Sequence, residues 1–229
     1  VAGAELQVVP VAAGRPARDF TQAPAMSEAG CLRAINEGLL AVPDGVDLLA
    51  VGEMGIANTT AAAAVAAGLF GEPAAAWAGP GTGLDAEGVR RKAGVIAQAL
   101  TRHAAVLNDP LEVLRHVGGR DLAAMLGAIL AARLRRVPVL LDGFTATVPA
   151  AVLETLARGA IAHCRSGHRS AEPGHRKLLE RLRLQPLLEL GMRLGEGSGA
   201  ALAINLARAA VACHTGMATF GGAGVSRRD

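Results

Sequence analysis

Two carboxylates stand in settings where proton transfer is chemically reasonable. Gly195-Glu196-Gly197-Ser198-Gly199 places Glu196 among glycines just before a run of helical period. Glycines permit positive φ and close approach of backbone to a ligand. A carboxylate near a helix N-terminus stays ionised, helped by the dipole and by backbone N–H groups. Glu196 is therefore a candidate general base; the plainer reading is a solvent-exposed capping loop. Glu53 is the second carboxylate, in Gly52-Glu53-Met54-Gly55-Ile56-Ala57-Asn58-Thr59-Thr60, which runs from a strand into an Ala-rich helix. Asn58, Thr59 and Thr60 bring amide, hydroxyl and backbone donors to that helix start, a natural phosphate or carboxylate site. Ordinary capping by Asn58, with Glu53 in a salt bridge, fits the same residues.

Other groups say less alone. Gly79-Pro80-Gly81-Thr82-Gly83-Leu84-Asp85 reads as a tight loop before a helix. From Gly81 it also satisfies GxGxxA with Ala86, but Ala74–Ala78 is a poor strand, which argues against a dinucleotide site and an oxidoreductase. Lys92, beside Arg90 and Arg91, is either a phosphate-facing cation or part of a solvated face. His163, Cys164, His168 and His175 match no zinc spacing, so no metal is expected. Ser166, His168 and Ser170 lack a nucleophile elbow. Asp142, after Val139-Leu140-Leu141, is well placed to bind a ligand and equally suits a turn.

The elements that position these groups alternate in type. Val46–Val51, Val137–Leu141 and Ala160–Cys164 read as buried strands, with Leu6–Val9 as a possible fourth. Helical periods fall at Ser27–Ala41, Thr59–Phe70, Ala86–Thr101, Asp121–Arg136, Val148–Arg158, His175–Leu190 and Ser198–Cys213. Asn58, Asp85 and Ser198 sit where N-caps belong, Gly71 and Gly216 near C-termini, and Pro110 follows Asp109 as an N1 proline would. Strands alternating with helices predict an α/β fold with a mainly parallel sheet. Ligands then bind beyond the carboxyl ends of the strands. That places the site at Gly52–Gly55, at Asp142–Phe144, at Arg165–Ser170 and under a loop folding back over them, for which Leu194–Gly199 is the best candidate.

Composition narrows the function classes. The 229 residues read as one domain, able to bury roughly 70–75% of the unfolded chain's surface. With 51% hydrophobic residues, a disordered chain is excluded. With 2% aromatic residues, a base-stacking nucleic-acid platform is not expected. A net charge of +3 suits a small anionic ligand. No apolar run reaches the roughly 18 residues of a membrane span. Cys31, Cys164 and Cys213 are odd in number and far apart, so reduced thiols in a cytoplasmic protein are expected.

Several stretches together resemble the nicotinate-nucleotide–dimethylbenzimidazole phosphoribosyltransferase family of cobalamin lower-ligand assembly. They are Gly-Glu-Met-Gly-Ile-Ala-Asn-Thr-Thr-Ala-Ala-Ala-Ala at 52–64, Gly-Thr-Gly-Leu-Asp at 81–85 with Arg91-Lys92 after it, and Val-Gly-Gly-Arg-Asp at 117–121. Pro-Val-Leu-Leu-Asp-Gly-Phe at 138–144, His168-Arg-Ser170-Ala-Glu172 and Met-Arg-Leu-Gly-Glu-Gly-Ser-Gly-Ala-Ala-Leu at 192–202 complete the set. The resemblance runs nearly end to end, and the order and spacing make it specific.

The resemblance implies transfer of the phosphoribosyl group of nicotinate mononucleotide to 5,6-dimethylbenzimidazole. Glu196 matches the family's general base and Glu53 its second active-site carboxylate. Gly55, Asn58, Thr59, Thr60, Lys92, Gly118, Gly119, Asp142, Ser170, Gly195 and Gly197 are the implied substrate-binding positions. No metal or organic cofactor is implied. The implied fold is a Rossmann-like sheet flanked by helices, a single core over residues 1–229 whose ends join part of a small helical domain, working as a homodimer. The family's chains begin well before the position matching Val1, so their N-terminal third, with part of the benzimidazole pocket, is expected to be absent. The apolar positions of Ser198–Cys213 would then lack a partner. A catalytically silent nucleotide-binding or partner-subunit module is the alternative expectation.

Overall fold

The computed structural model describes residues 2–224; Val1 and residues 225–229, part of the core expected over 1–229, lie outside the described residues. Four strands form one sheet in the order β1 (Leu49–Val51), β2 (Val139–Leu141), β3 (Cys164–His168), β4 (Pro186–Leu188). Every neighbouring pair is parallel, with Val51 opposite Leu141 and Leu141 opposite Ser166. The expected α/β fold with a parallel sheet is present, and the strand ends finish on one edge.

Helices make the crossovers that parallel strands require. After α1 (Glu28–Ala41) and β1 come α2 (Asn58–Phe70), α3 (Ala86–Arg102), α4 (Pro110–Val117) and α5 (Arg120–Leu134). Then β2, α6 (Phe144–Leu156), β3, α7 (Pro173–Leu182), β4 and α8 (Ser198–Gly216) follow. Side chains alternate across the sheet. Val139 and Leu141 enter the large core built around the buried alanines of α2, whereas Leu140 meets Ala200, Ala203 and Ile204 of α8 on the opposite face. The outer side of α8 leaves Leu202, Leu206 and Val211 exposed.

Local signals explain the boundaries. Asp85 accepts from the Gly88 N–H at 2.7 Å, Asp109 caps α4 with Pro110 at its first position, and Gly71 ends α2 in the left-handed region. Asn58 and Ser198 are not N-caps: Ala57 and Gly197 occupy those positions, and the Asn58 side chain is drawn away to two carboxylates. Gly216 is the last residue of α8, and Met217 follows as its C-cap.

Four expectations are corrected. Leu6–Val9 forms no strand and is exposed. The third strand is Cys164–His168, not Ala160–Cys164; its polar residues Ser166 and His168 are buried, which an apolar-run criterion does not detect. The helix expected over His175–Leu190 ends at Leu182, because Arg183 turns left-handed (φ 55°) and Pro186 opens β4 instead. The helix expected from Val148 begins at Phe144 and carries Pro149 inside it.

Helices α1 and α5 touch backbone to backbone. A Cβ added at Gly127 would lie 1.9 Å from the Ile35 carbonyl oxygen, and one at Gly38 would lie 1.8 Å from that of Ala124. Gly127→Ala is therefore expected to destabilise the chain by about 1–3 kcal/mol, despite alanine's better helix propensity, because the helices must separate. Urea unfolding checks this; equal or higher stability would show that the crossing tolerates a methyl group.

Candidate active site

The glycine-rich loop folds back onto the end of β1. A Cβ at Gly52 would meet the Gly197 nitrogen at 2.3 Å, so glycine alone permits this contact. The Glu196 N–H donates to the Glu53 carbonyl at 2.9 Å, tying the two carboxylate-bearing residues together. Gly195, Glu196 and Gly197 are all left-handed, with φ of 80°, 59° and 73°. That conformation is unfavourable for a glutamate, and strain of this kind concentrates at functional sites. Its side chain is exposed and faces solvent.

Asp142 secures this loop from below. Its buried Oδ1 accepts from the N–H groups of Gly199 (2.8 Å) and Ala200 (2.9 Å), occupying the N-terminus of α8. His168 Nε2 lies 3.6 Å from the same oxygen, and the His168 ring is buried beneath Gly199. Asp142 thus spends its carboxylate on the loop that carries Glu196.

Glu53 is held at one oxygen. Its Oε2 accepts from the Gly55 N–H at 2.9 Å and from Asn58 Nδ2, which also donates to Asp121 Oδ2 at 3.0 Å. Oε1 points towards Gly195 and would lie 3.3 Å from a Cβ placed there. Burial raises the Glu53 carboxyl above the ordinary carboxylate range, and the charges of Asp121 and Asp142 add to this. The hydrogen bonds from Gly55 and Asn58 oppose it.

A cationic corner adjoins the start of α2. The buried Lys92 Nζ donates to Thr59 Oγ1 at 2.9 Å and to the Gly79 carbonyl at 3.0 Å. Burial pulls its ammonium below the ordinary lysine range, and Glu172 offsets this in part. Arg193 Nη2 donates to the Gly81 carbonyl at 2.5 Å and lies 3.8 Å from Glu172. Between these loops, Thr82, Gly83, Met192, Arg193 and Leu194 line an open cleft of about 580 Å³. Thr60 donates its N–H to the Ala57 carbonyl in the first turn of α2. Gly118 and Gly119 are buried at the α4–α5 junction, where they leave room for the Leu114 carbonyl and the Asp121 carboxylate.

Ser170 begins a buried polar chain. Its N–H donates to His175 Nδ1 at 3.0 Å, so that nitrogen is unprotonated and the ring proton sits on Nε2. Nε2–H then donates to Thr147 Oγ1 at 3.1 Å, whose own hydrogen goes to the Gly143 carbonyl at 2.8 Å. Ser170 Oγ also reaches His175 Nδ1 at 3.0 Å. Burial pushes His175 down to about 3, so this is a neutral imidazole that fixes the loop.

The structure thus brings Glu53, Glu196, Gly55, Asn58, Gly195 and Gly197 into one cluster, with Thr59 and Lys92 beside it. Asp142 and Ser170 sit just beneath. Sequence reasoning did not single out Asp121, Glu172, Arg193 or His175 as site residues, although the first three lie within the resemblance motifs. Among the described residues, no three His, Cys, Asp or Glu side chains gather as a metal-ligand set.

A family model described as "Phosphoribosyltransferase" matches residues 1–225. A nicotinate-nucleotide–dimethylbenzimidazole phosphoribosyltransferase of Brucella anthropi is 55% identical over 221 residues, covering 96% of this chain and 65% of the relative. One of Cereibacter sphaeroides is 55% identical over 226 residues, covering 99% and 67%. Among solved structures, that of CobT from Thermus thermophilus superposes with a TM-score of 0.86 at 46% identity, covering 93% of this chain and 64% of that one. The chain thus spans about two thirds of the length of the proteins it matches.

Proposed function

The chain belongs to this phosphoribosyltransferase family, and from that premise we propose that it transfers the phosphoribosyl group of nicotinate mononucleotide to 5,6-dimethylbenzimidazole. The products are nicotinate and α-ribazole 5′-phosphate, used in cobalamin nucleotide-loop assembly. The observation that carries this reading is the pairing of Glu196 with Glu53 at one strand end, beside a buried lysine at a helix N-terminus.

The chemistry follows from those positions. One imidazole nitrogen of the base attacks the anomeric carbon, the bond to nicotinate breaks, and its electron pair returns to the pyridine nitrogen. The attacking ring becomes cationic, and Glu196 removes the proton from its other nitrogen. Charge developing on the ribose favours nearby anions, a role open to the free oxygen of Glu53. Lys92, the start of α2 and the Gly79–Gly83 loop hold the phosphate away from the reacting carbon, with Arg193 as a second cation. Ser170, locked by His175, lines the nucleotide side. The same reading makes the protein a cytoplasmic homodimer built on a single core over residues 1–229. The free thiols of Cys31, Cys164 and Cys213 support the cytoplasmic part of it.

Nicotinate release from nicotinate mononucleotide plus dimethylbenzimidazole tests the activity, measured on the product of the whole reading frame that encodes this chain. Binding without release would favour the catalytically silent module instead. If Lys92 and the start of α2 are the phosphate anchor, nicotinate mononucleotide at a hundredfold excess over its dissociation constant stabilises the protein by about 2.7 kcal/mol. The riboside, lacking phosphate, is expected to bind far more weakly. Equal affinities by calorimetry would remove that anchor.

A further inference from the structure

We propose that Asp121 is a positioning residue for this reaction, fixing Glu53 through the Asn58 amide so that a single carboxylate oxygen is presented to the substrate. The inference rests on the reading of Glu53 as an active-site carboxylate. Asn58 is buried in the first turn of α2, and Nδ2 spends one hydrogen on Glu53 Oε2 and the other on Asp121 Oδ2. The opposite amide orientation would set the Asn58 carbonyl oxygen against two carboxylates, so Asp121 together with Glu53 fixes which way the amide faces, and Asp121 holds the hydrogen that Glu53 does not use. With Oε2 held by Asn58 and by the Gly55 N–H, Oε1 is the oxygen directed at the Gly195–Gly197 loop.

The backbone is shaped around this bridge. A Cβ at Gly55 would lie 2.5 Å from Asn58 Nδ2 and 3.1 Å from Asp121 Oδ2. Asp121 comes from α5, on the far side of α2 in the chain, and stands in the first turn of its helix. A purely structural Asp121 would do no more than favour the N-terminal end of that dipole. The bridge gives it a second consequence: its charge disfavours the ionised form of Glu53, while the Asn58 hydrogen bond favours it. The other acidic group acting on Glu53 is Asp142, from the end of β2; Glu196 meets Glu53 through its backbone N–H, with its carboxylate in solvent.

The two partners therefore have opposite signatures. Asp121→Asn keeps an acceptor for Asn58 but removes the charge, so the Glu53 carboxyl titrates at lower pH than in the parent. Asn58→Ala removes the hydrogen bond, so it titrates at higher pH. Carbon-detected NMR of the Glu53 carboxyl, assigned with Glu53→Gln, reads both shifts without turnover. In steady-state assays Asp121→Ala lowers kcat about ten- to hundredfold, the loss expected for one charge-assisted hydrogen bond. KM for nicotinate mononucleotide, governed by the phosphate anchor, stays within about twofold. An unmoved Glu53 titration in Asp121→Asn, or the same direction of shift in both variants, would overturn the inference. Absence of phosphoribosyl transfer in the parent would remove the proposed activity instead, leaving the Glu53 coupling to be judged on its titration.

Discussion

Glu196→Gln lowers the rate of nicotinate release by about 10²–10⁴, or roughly 2.7–5.4 kcal/mol of barrier, with nucleotide binding nearly unchanged. Glutamine keeps the length and shape of the side chain but cannot accept the imidazole proton. The loop itself is held by backbone contacts that the substitution leaves alone: the Glu196 N–H on the Glu53 carbonyl, and Asp142 on the N–H groups of Gly199 and Ala200. Lys92 and Thr59, which bear on the phosphate, come from α3 and α2 and do not depend on the Glu196 carboxylate. The loss therefore falls on kcat. A variant within about threefold of the parent rate would remove Glu196 as the base and make Glu53 the next candidate.

Acid destabilises the fold through His175. The unfolded chain protonates this histidine as pH falls through its ordinary 6.5, whereas burial in the fold delays protonation until about 3. A depressed folded value means that the stabilisation is full above the unfolded value and is lost as pH falls towards the folded one. At about 1.36 kcal/mol per pH unit, His175 alone accounts for a loss of about 2 kcal/mol between pH 7 and pH 5. The loss reaches about 4 kcal/mol near pH 3. Burial lowers His116 and His163 as well, adding acid sensitivity of the same sign. His175→Gln retains an acceptor for Ser170 and a donor for Thr147 and does not titrate. Its urea-unfolding stability should depend less on pH by about 2 kcal/mol over that interval. Identical pH slopes for parent and variant would refute the assignment.

The amino-acid sequence alone determined the features that are local in origin. Alternating strands and helices set a parallel sheet, because parallel neighbours need helical crossovers. Asp85, Asp109 with Pro110, and Gly71 marked helix ends by bonds to residues a few positions away. The glycines around Glu196 marked a bend close to another backbone, and that neighbour is Gly52. Tertiary structure decided what depends on distant partners. Asn58 suited an N-cap as well as any residue, yet its amide is taken by Glu53 and by Asp121, 63 positions on. An N-cap uses the amide oxygen as an acceptor, whereas here the helix starts one residue earlier, with Ala57 as N-cap, and the Asn58 side chain acts as a donor to two carboxylates. Strand β3 was placed four residues early and the short β4 was missed because burial of Ser166 and His168, and pairing of Pro186 at the sheet's edge, are properties of the assembled sheet. For the same reason His175 looked like an ordinary residue near a helix start. Only the packed core that removes its water makes it the neutral clamp on Ser170.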